Sequence, residues 1–179
     1  IVTGANDPVE YSCQRNFGIL TTDGYWNDDS SDAQKIDGTQ IGDMDNSTTT
    51  SPRTMYDGLS KSPTLADVAR YYYLTDLRTA TSGATGAYGA NVYDNIVPAA
   101  GGDNATWQHM TLYTLGLGAN GSLVYAPDYL TGGSPDYTAI AQGTLNWPDP
   151  INNSSGQRID DLWHAAVNAN GKYFSATDP

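Results

Sequence analysis

Aspartate dominates the chemistry open to this 179-residue chain: 19 of its 20 acidic residues are Asp, and Glu10 is the exception. Carboxylate and amide oxygens are hard donors, suited to Mg²⁺ or Ca²⁺. Asp28, Asp29, Asp32, Asp37, Asp43 and Asp45 crowd one stretch and could gather such a cation, although their spacing is not that of an EF-hand loop. Solvated, mutually repelling loop carboxylates are the simpler account of the series. Asp23 stands apart. It follows the apolar run Phe17–Leu20 within Thr22-Asp23-Gly24, at the carboxyl end of an expected strand. Open α/β sheets bind ligands there. Two readings of Asp23 stay open: a ligand to Mg²⁺ or Ca²⁺, direct or through water, or a carboxylate that caps a turn.

Nucleophilic catalysis finds little support. His109 and His164 are the only histidines, Cys13 is the only thiol, and no Gly-x-Ser-x-Gly elbow occurs. His164 lies five residues after Ile159, off the apolar stripe of its helix, and reads as a half-exposed structural histidine. With so many Asp, a carboxylate pair for glycoside hydrolysis is an open alternative, but nothing singles out a pair. Trp107, Trp147 and Trp163 could stack on sugars; Trp163 falls on an apolar helix face and is expected in the core.

The formal charge of −12 and sequence pI near 4.1 argue against nucleic acid and against an anionic membrane surface. No apolar run approaches the ~20 residues that cross a bilayer. No signal peptide stands at Ile1, so the chain is expected to be cytosolic, matured, or cut from something longer. One cysteine excludes an internal disulfide. The length suits one domain. Asn, Ser, Thr and Gly are abundant and Lys is scarce, a composition that fits a bacterial cell-surface protein with long polar loops.

The elements that must position these groups follow from periodicity. Phe17–Leu20 reads as a buried strand, and residues from Tyr25 to about Ser62 as a long loop. Ser62-Pro63-Thr64 starts a helix, with Pro63 in its first turn and Asp67 complementing the dipole. Leu65, Val68, Ala69, Tyr72 and Tyr73 mark its apolar face. Residues 79–104 form a second loop. Met110–Leu115, apolar on both faces, reads as a central parallel strand that turns at Ala119-Asn120-Gly121. Residues 122–156 are a third polar stretch, which includes Trp147-Pro148-Asp149-Pro150. Arg158–Asn168 is a second helix, with Asp160 and Asp161 in its first turn and Gly171 as its C-cap. Lys172–Ala176 is a last strand. Strand–helix–strand–helix–strand order implies an α/β fold with a mainly parallel, partly doubly wound sheet.

Asn16–Gly24 resembles the fourth strand of a von Willebrand factor type A domain, which ends in Thr-Asp-Gly. Leu112–Gly118 resembles the fifth strand, and Leu162–Ala176 the last helix and sixth strand. Four ordered blocks also closely resemble the N-terminal region of the PilY/PilC family of type IV pilus biogenesis proteins and pilus-tip adhesins. They are Asp23-Gly24-Tyr25-Trp26-Asn27, Thr64 through Tyr73, Thr106-Trp107-Gln108-His109-Met110, and Ile159 through Asn168.

The resemblance implies that residues 1–179 are the C-terminal half of a type A-like domain, a fragment of a longer chain. Of the family's cation signature only Asp23 is present; no Asp-x-Ser-x-Ser precedes it, and Asp29-Ser30-Ser31 lies after it. It also implies a non-enzymatic, extracellular, pilus-associated module that presents loops to pilus minor subunits or a surface receptor. Because the family's first strand is missing, Phe17–Thr21 should form an open edge, filled by another chain segment or another copy. A filament-forming surface subunit and a secreted hydrolase using Asp pairs are the alternatives.

Overall fold

The computed structural model describes residues 7–26, 33–47, 50–60, 62–80, 91–151 and 155–176. Strand β1 (Asn16–Thr22) lies beside β2 (Met110–Leu117), which lies beside β3 (Tyr173–Ala176), and both pairings are parallel. Phe17 aligns with Thr111, Ile19 with Tyr113, and Leu115 with Phe174. Parallel strands need long crossovers. The chain supplies them with α1 (Leu65–Leu74) between β1 and β2, and with α2 (Pro135–Gln142) and α3 (Ser155–Asn168) between β2 and β3.

Helix α1 begins where its sequence directs. The Thr64 hydroxyl accepts from the Asp67 N–H at 3.1 Å, while the Asp67 carboxylate accepts from the Thr64 N–H at 2.8 Å, a reciprocal capping box. Pro63 precedes the cap instead of occupying the first turn. Small residues then set the spacing: Ala66 and Ala69 of α1 meet Ala165 of α3 and Ala169 just past its end, and Leu112 of β2 packs on this seam.

Helix α3 starts three residues earlier than its periodicity suggested, so Asp160 and Asp161 sit mid-helix, not in the first turn. Every residue from Ile159 to Ala169 is buried. Trp163, 1% exposed, is the centre of an aromatic cluster, stacking with Tyr137 at 5.7 Å and Tyr173 at 5.8 Å. At the helix end Asn170, not Gly171, takes the left-handed conformation, with φ 53°. Gly171 is required for a different reason: a Cβ there would collide with the Leu112 carbonyl.

Leu20, Leu112, Thr114 and Tyr173 face α1 and α3. On the other face Phe17 (50%), Ile19 (76%) and Phe174 (43%) are exposed. The helical layer that would make the sheet doubly wound is therefore not among the described residues. Nor, among them, does β1 pair with any strand but β2. Residues 7–15 are tied down elsewhere, through Asp7 on Arg78 and through the Tyr11 and Ser12 carbonyls on Gln108.

Candidate functional site

The groups named from the sequence do not converge on one place. Asp23 is exposed in the bend after β1. A cavity of about 190 Å³ opens nearby between Leu20, Trp26, Leu65 and Arg158, but Asp23 does not line it. Among the described residues, no metal-competent group of acids or histidines includes Asp23. Taken alone it supplies one of the several oxygens that Mg²⁺ or Ca²⁺ takes. Asp28, with Asp29 and Asp32, lies outside the described residues.

Asp43 and Asp45 do converge, and on Asp67, read from the sequence only as complementing the dipole of α1. Asp43, Asp45 and Asp67 each offer one carboxylate oxygen, all within 4.8 Å of one another. The local fold explains the meeting. The loop around residues 43–46 lies against the start of α1, where the Met44 N–H donates to Asp67 at 2.6 Å. Asp43 accepts from the Asn46 N–H at 2.9 Å and remains exposed, whereas Asp45 and Asp67 are fully buried. Asn168, at the end of α3, donates through Nδ2 to Asp45 at 2.5 Å. Asp57 and Asp161 are buried alongside. Asp57 accepts from the Leu59 N–H at 2.8 Å, and Asp161 accepts from the N–H groups of Leu65 and Ala66.

So many carboxylates in one buried place disfavour their own ionisation. Burial, then the charges of Asp67 and Asp57, push Asp45 up to about 9. Burial raises Asp57 to about 6 and Asp161 to about 7, and it raises Asp67 against the hydrogen bonds of Met44 and Thr64. Two positive influences stand nearby: the N-terminal dipole of α1 and Arg70. Arg70 donates to the Met44 carbonyl at 3.1 Å and to Met55 Sδ at 2.9 Å. His164 adds no charge. Burial drives it down to about 3, and its Nε2 meets the Met55 carbonyl at 3.1 Å, against 3.7 Å to Asp45.

His164 is 2% exposed, which corrects the half-exposed reading; it stacks on Trp147 at 4.5 Å. His109 is wedged between the Trp107 carbonyl and Asp103, at 2.7 and 2.9 Å. Both histidines are thus built into the packing. Asp57, Asp67, Asp161 and Asn168 were missed as site residues. The available signal was the Asp160-Asp161 pair, set between Ile159 and Leu162 in an otherwise apolar stretch of helix.

Fold and site define the class: an α/β fold with a three-stranded parallel sheet, one face of it uncovered among the described residues, and an acidic junction where two helices meet a loop. The particular likeness comes from known proteins. The chain is 40% identical over 181 residues to the type IV pilus biogenesis factor PilY1 of Pseudomonas aeruginosa strain PAK, covering 98% of this chain and 15% of that protein. It is 39% identical to the PilY1 of strain PAO1 and 33% identical to that of strain UCBPP-PA14, again across 15% of each. The chain therefore belongs to the PilY/PilC family, and it spans 15% of the length of these curated relatives. No family model matches it, and no solved structure matches it.

Proposed function

We propose that this chain is a non-enzymatic module in type IV pilus biogenesis at the bacterial surface, and that its sheet is completed by a further segment of a longer polypeptide. The observation that carries this reading is its 98% coverage by a protein named as a pilus biogenesis factor, itself several times longer. The open side of the sheet supports completion from outside. β1 has a free edge among the described residues, and Phe17, Ile19 and Phe174 leave an apolar face in water. A second type A-like half, as the sequence resemblance implies, would cover both. The buried structural settings of both histidines support a non-enzymatic role. The exposed loops around the sheet's carboxyl end are where a pilus subunit or surface receptor would dock, with Asp23 among their polar groups.

Ile19→Asp separates completion from folding. Ile19 is 76% exposed, so this change should leave the melting temperature of the 179-residue chain unaltered. Introduced into the longer polypeptide in a piliated host, it should reduce surface pili. Normal piliation together with normal surface levels of the variant would contradict the proposal.

A further inference from the structure

The acidic junction leaves two buried acceptors without donors. Asp45 Oδ1 and Asn168 Oδ1 are shielded from solvent and have no hydrogen-bond partner, and the two side chains touch each other through Nδ2 and Oδ2. Buried polar atoms are nearly always satisfied, so a pair of neighbouring orphan acceptors calls for a donor or a cation. Around them Asp43, Asp45, Asp57, Asp67 and Asp161 gather beside a single guanidinium, Arg70, and His164 turns its Nε2 to the Met55 carbonyl at 3.1 Å.

We propose that Asp43, Asp45, Asp67 and the carboxamide oxygen of Asn168 bind a calcium ion, which ties the 43–46 loop to the start of α1 and the end of α3. The ligand chemistry selects the metal. The donors are carboxylate and amide oxygens, without thiolate or imidazole, which disfavours zinc, copper and nickel. Carboxylate oxygens within 4.8 Å of one another fit around an ion with Ca–O distances of ~2.3–2.6 Å. Mg²⁺ demands a near-ideal octahedron at ~2.0–2.1 Å, which oxygens already holding N–H groups cannot readily rearrange to give. The exposed carboxylate of Asp43 gives the ion a route in, and the other ligands are buried. The site is separate from Asp23 and draws on α3, more than 100 residues along the chain from Asp45.

The rival occupants are a proton shared between Asp45 and Asp57, or a buried water. Calorimetric titration of the chelator-stripped 179-residue chain with calcium chloride decides, with thermal melts in parallel. The expected result is a one-site isotherm with a dissociation constant on the order of 10⁻³ M or tighter, and a calcium-dependent rise in melting temperature. Asp43→Asn, at an exposed position, should weaken binding at least about tenfold and leave the calcium-free melt unchanged. Asp45→Asn should abolish binding, and Asp23→Ala should not affect it. No heat and no thermal shift at about 10 mM calcium would overturn the site in favour of a proton or water. Binding that survives both Asp43→Asn and Asp45→Asn would overturn it by placing the ion elsewhere.

Discussion

Asp161 on α3 accepts the backbone N–H of Leu65 on α1 at 2.9 Å, and its second oxygen takes the N–H of Ala66 at 3.2 Å. One carboxylate thus closes the first turn of another helix from 95 or more residues away. These N–H groups belong to the set an α-helix leaves unpaired at its start.

Removing that carboxylate leaves two N–H groups without partners at a buried helix start. Each unsatisfied group costs about 1–3 kcal/mol. Asp161→Ala should therefore destabilise the chain by about 2–4 kcal/mol in denaturant unfolding. Asp161→Asn, which keeps one acceptor, should cost less. A loss below about 0.5 kcal/mol for the alanine variant would show that the contact does not hold the helices together.

The aromatic cluster gives a second test. Trp163 contacts Tyr125, Tyr129, Tyr137, Trp147 and Tyr173. Trp163→Ala should cost ~3–5 kcal/mol, a large share of a domain's stability. An unchanged melting temperature would mean that α3 does not present this face to the core.

Much of this architecture was legible because it rests on local patterns. The start of α1 at Ser62-Pro63-Thr64, the apolar stripes and the order of strands each leave a one-dimensional trace. Helix α2 escaped because it is short: Ser134 caps it and Gly143 ends it, leaving only Tyr137 and Ile140 as a buried pair. That is too few positions to show a period. His164 was misplaced because α3 was treated as a surface helix with one apolar face. In the fold it is wrapped by α1, the sheet, the turn at Arg53–Met55 and Trp147, so its off-stripe positions are buried as well. The acidic junction joins positions 43, 45, 57, 67, 161 and 168, and no spacing along the chain announces such a meeting.

Asp7 and Arg78 form a buried pair, with contacts of 2.5 and 2.9 Å, whose contribution to stability should be lost in acid. Burial works to raise the Asp7 carboxyl, but hydrogen bonds from Arg78 and Val9 and the Arg78 charge together hold it below its usual 3.8. A depressed folded-state value contributes stability that is present above the unfolded value and lost as pH falls through the folded one. Asp7→Asn should thus lower stability at neutral pH, and the gap to the unmodified chain should close below about pH 4. A gap of constant size from neutral pH down to about pH 2 would show that Asp7 acts by packing and not by charge.

If another part of a longer polypeptide completes the open side of β1, as proposed, amide hydrogen exchange reads that completion directly. Peptides covering Phe17–Thr22 should exchange quickly in the 179-residue chain and markedly more slowly in the longer polypeptide. Thr111–Leu115 of β2 should be protected in both, which provides the internal reference. Equal exchange of Phe17–Thr22 in the two, with β2 protected throughout, would contradict the account and leave β1 as a true sheet edge.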